Sequence, residues 1–207
     1  MSFDHCWFGL FVDEAVYEHI KPHFAAAAEQ AVLSAKAQQA IAAWRQRPSD
    51  FEQGAAPSSP EAEDEPNAFI WAFNLQGFDE LAKQLIVAGG RFTDLLVEEH
   101  FFRMEVTARH TPVSIVWYAL GYERASQLPG RMGNLLLHPR EIEEAREKTR
   151  RVYAATSPQD LLEAARRYCG WSVPDDALRD VIGFLPNGLA RASELQRGFL
   201  ALARAQI

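Results

Sequence analysis

Residues 48–67, PSDFEQGAAPSSPEAEDEPN, limit what this chain can fold into more than any other stretch does. Four prolines lie among small residues and the acids Glu61, Glu63, Asp64 and Glu65. Proline withholds backbone N–H groups, and the small and charged side chains bury too little apolar surface to offset the entropy of ordering. A flexible acidic insertion is therefore expected over 48–67. The whole chain, 207 residues, suits one substantial core, so the insertion is expected to join two parts of a single domain spanning 1–207.

Before the insertion, residues 3–12 (FDHCWFGLFV) fit a strand with an irregularity at Gly9. A short helix follows Asp13 and Glu14, with Pro22 ending it or opening the next. The Ala-, Gln- and Lys-rich composition predicts one helix over 24–47, and Leu33, Ala37, Ala40, Ile41 and Trp44 share a stripe of it.

Beyond the insertion, residues 68–75 (AFIWAFNL) read as an interior strand. A helix is expected over 78–87, stopped by Gly89 and Gly90. A short helix over 92–99 then leads to a strand over 101–107. The run VSIVWYALGY after Pro112 suits a buried helix or an interior strand. QLPGRMG at 127–133 is loop-like, and a strand over 134–137 can follow it.

The last third is predicted to be helical. Residues 140–153 form one amphipathic segment, and Ser157 caps another with Pro158 in its first turn. FLPNG at 184–188 separates a helix beginning near Pro174 from a last helix, where Leu189, Ala192, Leu195, Phe199 and Leu202 recur at helical spacing. The expected class is α+β, with a mixed N-terminal and central region and a helical C-terminal third.

Charge and cysteine content narrow the function classes. The formal charge of −7 disfavours nucleic acid and anionic membranes as partners. The arginines and lysine of 140–151 are interleaved with Glu141, Glu143, Glu144 and Glu147, as on a solvated, salt-bridged helix face. Cys6 and Cys169 read as free thiols. No basic leader is seen, and no run approaches the roughly 20 apolar residues of a membrane span. A cytoplasmic location is expected.

The densest group of reactive side chains is LLVEEHFFRMEVTARH, residues 95–110. On a strand, Arg103 and Glu105 share a face. On a helix, Glu99 would instead lie beside Arg103. A catalytic account uses Glu98, Glu99 or Glu105 as a base, Arg103 to hold an anion, and His100 or His110 as an acid or relay. Carboxylates beside arginine tend to stay ionised, however, which favours a structural salt bridge. His19 and His23 lack a third ligand in sequence, and no metal or cofactor is expected.

The leading expectation is a protein-interaction module, of inhibitor or immunity type. Its anchors would come from Phe69, Trp71, Trp117, Tyr118 and Trp171, although each also suits the core. Glu61, Glu63, Asp64 and Glu65 would add acidic contacts to a basic protein partner. The alternative is a small-molecule enzyme of hydrolase or acid–base type built on Glu99, His100, Arg103, Glu105 and His110. Homo-oligomerisation is left open.

Overall fold

The apolar run at the start of the chain forms β1, Asp4–Val12, which pairs antiparallel with the last strand, β4, Gly198–Ala205. This comes from a computed structural model that describes residues 4–53, 64–86, 101–170 and 173–205. On the other side of β1 lies β2, Phe101–Ala108, and on the other side of β4 lies the short β3, Leu135–Leu137. The order β2–β1–β4–β3 makes an antiparallel sheet with the two long partners at its centre. The irregularity expected at Gly9 is present: the β1–β2 register shifts between Gly9 and Leu10.

Helices cover both faces of the sheet, and the fold is α+β. On one face Trp7 stacks on Phe184 at 4.2 Å, and Phe102 and Phe199 pack around the same ring. Phe184 belongs to α9, Asp175–Leu195. On the other face, α4, Gln76–Ile86, contacts β4 and carries α1, Glu14–Gln30, outside it. With both faces covered, β1 and β4 are buried on consecutive residues, so neither shows the alternation of a half-exposed strand.

That double burial explains a correction. Phe199 and Leu202, expected on a last helix, lie in the central strand β4. The chain leaves α9 at Gln196, whose left-handed φ of 54° ends the helix and redirects the backbone. Nor does FLPNG break the chain, because α9 runs through Pro186. Pro22 likewise sits inside α1 and neither ends nor opens it. Each proline removes one intrahelical hydrogen bond, and burial of residues on either side of it carries the helix across the gap.

Two further expectations change. The single helix over 24–47 is divided: α1 ends at Gln30, and Ser34 caps α2, Ala35–Gln46, by accepting from the Ala37 N–H at 3.1 Å. The strand expected over 68–75 is instead α3, Glu65–Trp71, followed by a turn. Its aromatics are spaced so that Phe69 is buried while Trp71 is 40% exposed.

The 48–67 segment is structured at both ends, with a 3-10 turn at Pro48–Phe51 and α3 starting at Glu65. Residues 54–63 lie outside the described residues, as does the helix expected over 92–99.

The remaining helices are α5, Pro112–Leu120; α6, Tyr122–Ala125; α7, Ile142–Ala154; and α8, Pro158–Cys169. Every residue of α5 is buried, so the ambiguous VSIVWYALGY run is an interior helix. Ser157 caps α8 by accepting from the Asp160 N–H at 3.1 Å, as its position predicts.

Gly188 of α9 faces the aromatic layer, where an added Cβ would lie 2.5 Å from the Phe199 ring. At Gly183, five residues earlier, it would meet only the movable side chain of Asn187. Gly188→Ala is expected to lower unfolding free energy by about 1–3 kcal/mol through overpacking. Gly183→Ala should raise it by about 0.5–1 kcal/mol through lower chain entropy. Urea denaturation of the two variants distinguishes these effects, and equal shifts would contradict the packing described.

Candidate functional site

The strand arrangement of β2 places Arg103 and Glu105 together. Arg103 Nε lies 3.0 Å from Glu105 Oε1, and its other end lies 3.2 Å from Asp180 on α9. Burial raises the Glu105 carboxyl above its usual range, while the Arg103 charge opposes that rise. This bridge ties β2 to the helix covering it. His110 makes a different set of contacts: it is buried, meets Tyr168 edge-on at 4.7 Å, and among the described residues has no partner for Nδ1. Burial, with His5 and Arg109 nearby, pushes its pKa down to about 4. A neutral imidazole of such low basicity is a poor general base near pH 7. Glu99 and His100 lie outside the described residues.

Other reactive groups beside His110 are committed to structure. The Ser114 hydroxyl donates to the Thr111 carbonyl at 2.8 Å and accepts from the Tyr168 hydroxyl at 3.1 Å. The Cys6 thiol is pushed up to about 11 and Cys169 to about 12 by burial, which keeps both protonated at neutral pH.

The expected interaction anchors separate into different environments. Phe69 is fully buried against Trp44 and Phe73 and offers no surface, a correction that follows from its place on the inner side of α3. Trp71 is half-exposed and touches His5 edge-on. Asp64 pairs with Lys36 at 3.1 Å and Glu65 with Arg47 at 2.9 Å, so both acids already have cationic partners. Glu61, Glu63 and Trp171 lie outside the described residues. Trp117 and Tyr118 are largely buried in α5, yet each contributes to the wall of a concavity.

These concavities adjoin. The larger, about 870 Å³, runs between α2, the 48–51 turn, the α5–α6 junction and α8. Tyr118 lies in its wall, with its hydroxyl 2.9 Å from the Pro48 carbonyl and 3.1 Å from Glu52. Arg167 pairs with Glu52 at 3.0 Å. Arg124 contacts Thr156 and, among the described residues, has no carboxylate partner. Trp44 also lines this cleft, and its buried indole N–H has no acceptor among the described residues. Leaving such a donor unpaired costs about 1–3 kcal/mol.

The smaller concavity, about 400 Å³, has Ile41, Trp117 and Met132 among its apolar walls. Ala42, Arg45 and Tyr122 line both spaces. Arg45 stands between them with its guanidinium 4.0 Å over the Tyr122 ring and 2.9 Å from Glu123. Stacking and the ion pair together orient a long side chain that would otherwise sample many rotamers.

The wall carrying Arg131 and Met132 is a tight turn. Arg131 N–H donates to the Asn134 carbonyl at 2.7 Å, and Asn134 N–H returns the bond at 3.0 Å. Met132 and Gly133 between them have φ of 49° and 82°, the pattern of a type I′ hairpin turn. Methionine has no preference for that conformation, and holding it there costs about 1–2 kcal/mol. The surroundings impose it. Asn134 is fully buried and accepts from the Ala203 N–H of β4 at 2.9 Å, and Trp7 of β1 donates to the Gly133 carbonyl at 2.9 Å.

Sequence reasoning passed over Trp44, Arg45, Tyr122, Arg124, Arg131 and Met132 as site residues. The legible signal was the GRMG sequence at 130–133, two glycines around a cation and a flexible apolar side chain. No family model, curated protein or solved structure matches this chain. Among the described residues, no group of three or more His, Cys, Asp and Glu side chains is placed to hold a metal ion, and no helix is long and apolar enough to cross a membrane.

The depressed His110 pKa sets a pH dependence. Stability from keeping it neutral is complete above the ordinary histidine pKa of about 6.5, and is lost as pH falls toward the folded value of about 4, because the unfolded chain takes up the proton first. Between pH 7.5 and 4.5 the protein should lose roughly 2–3 kcal/mol more than the His110→Phe variant, measured by urea denaturation. Parallel losses in the two proteins would remove His110 as the cause.

Proposed function

We propose that this protein is a binding module that recognises another polypeptide in the double cleft of α2, α5, α6 and α8. One observation carries this reading: the two concavities adjoin, sharing Ala42, Arg45 and Tyr122 in their walls. Together they give an elongated groove with a polar stretch and an apolar end. Such a shape suits a chain segment, which can set one apolar side chain in a pocket while its backbone meets polar groups beside it. The Arg124 guanidinium is a donor already held at the groove.

The groove, more than Asp64 and Glu65, supports this reading, since those two acids already pair with Lys36 and Arg47. An acid–base enzyme built on Arg103, Glu105 and His110 has less support. Arg103 and Glu105 serve a bridge to α9, and His110 is a weak base packed on Tyr168.

A photoreactive benzophenone amino acid at the exposed position Ala42 tests the groove, with one at the exposed Glu144 of α7 as the control. In extracts of the source cells, a discrete light-dependent polypeptide adduct is expected from position 42 and not from position 144. Ala164→Trp, which fills the larger cleft from α8, should abolish it. Absence of an adduct from position 42, the same adducts from both positions, or indifference to Ala164→Trp would overturn the reading.

A further inference from the structure

We propose that the smaller end of the groove is a receptor for the free C-terminal residue of a polypeptide, an apolar side chain and its carboxylate being taken up together. This rests on the groove reading above and adds the chemistry of its occupant. Among the described residues, the lining of this pocket carries two arginines, Arg45 and Arg131, and no aspartate or glutamate, in a chain whose net charge is −7. A local reversal of sign beside apolar walls selects an anion that carries an apolar body.

Arg131 is the cation available to such an anion. Arg45 is engaged by Tyr122 and Glu123, whereas among the described residues the Arg131 guanidinium makes one hydrogen bond, 3.2 Å to the Ala28 carbonyl. An arginine has five N–H donors in a planar fork, so most of this group remains for a carboxylate, which it can grip through two parallel hydrogen bonds. Its exposure at the rim leaves the guanidinium hydrated until a guest arrives.

The turn beneath Arg131 supplies an independent observation. Met132 is held at a positive φ by bonds reaching the two central strands, and this places its flexible thioether side chain in the pocket wall with Trp117. Asparagine or glycine would occupy that position without strain, so the geometry itself does not call for methionine. A thioether against an indole makes an adaptable apolar seat for side chains of differing shape.

A C-terminal residue joins the two required features within one unit. Its α-carboxylate sits next to its own side chain, as Arg131 sits next to Met132. An internal aspartate or glutamate offers the charge without the apolar body. The residues preceding the terminus can continue past Tyr122 and Arg45 into the larger cleft.

The chain has three methionines, Met1, Met104 and Met132, so methyl-13C methionine labelling gives a small NMR spectrum in which Met132 reports on this pocket. Met104 on β2 serves as an internal reference. The probes are N-acetylphenylalanine, its amide, and a hexapeptide ending in phenylalanine with a free or an amidated terminus. The free-acid peptide is expected to shift the Met132 methyl saturably with Met104 unmoved. It should bind about tenfold tighter than the amidated peptide, the scale of a charged hydrogen bond. It should also bind about tenfold tighter than N-acetylphenylalanine, since the preceding residues occupy the larger cleft. Arg131→Gln should remove the tenfold preference for the free acid, so that acid and amide bind alike.

Equal binding of acid and amide peptides to the unaltered protein would overturn the carboxylate assignment while leaving the groove in place. N-acetylphenylalanine binding as tightly as the peptide would replace the polypeptide terminus with a small carboxylic acid. No Met132 shift with any probe, alongside a specific photoadduct at position 42, would move the partner's contact to the larger cleft and overturn the C-terminal receptor.

Discussion

Phe199 occupies space that exists because Gly9 of β1 and Gly188 of α9 carry no side chains. A Cβ at either glycine would lie within 2.8 Å of its ring. The ring packs with Phe11, Phe102 and Phe184, and this aromatic layer joins three of the four strands to the longest helix. Close packing of this kind tolerates little change in volume. Because α9 is clamped to the sheet here, the helices beyond it inherit their positions: α7 and α8 pack on α9, and α5 packs on α8 and α9. The α5 and α8 walls of the groove thus take their positions from α9.

The same central strands fix the groove's far wall. Trp7 and Ala203 hold the turn at 130–134 from beneath through the Gly133 carbonyl and the Asn134 side chain. Met132 can remain in a left-handed conformation because these bonds, and the contact of Gly133 with Val113, leave the turn no alternative path. Order in the core is converted into placement of Arg131 and Met132 at the surface.

Charge is organised differently in the two candidate regions. Around β2, Arg103 neutralises Glu105 and Asp180, and His110 is kept uncharged by burial, which suits a seam between sheet and helices. At the groove, Glu52 and Glu123 balance Arg167 and Arg45, while Arg124 and Arg131 have no carboxylate partner among the described residues. The dense run of acids, histidine and arginine in 95–110 drew attention to the seam. The groove's side chains are scattered between Leu33 and Arg167 and form no motif, so only their assembly reveals them.

By itself, the sequence determined the α+β class, the strand at 3–12 with its glycine irregularity, and the capped helix after Ser157, while it left 101–107 open between strand and helix. These depend on local patterns: alternation, glycine, and a serine one residue before a helix that starts with proline. Arg103 and Glu105 sharing a face also follows from strand geometry alone. Tertiary structure alone decided that 198–205 is a central strand, that α1 and α9 run through prolines, and that 65–71 is helical. A strand covered on both faces loses its alternation, and packing can outweigh one missing helix bond. The same reason applies to the site, because Arg131 and Met132 gain their meaning from Trp7, Ala203 and Trp117, residues distant in sequence whose proximity no local pattern encodes.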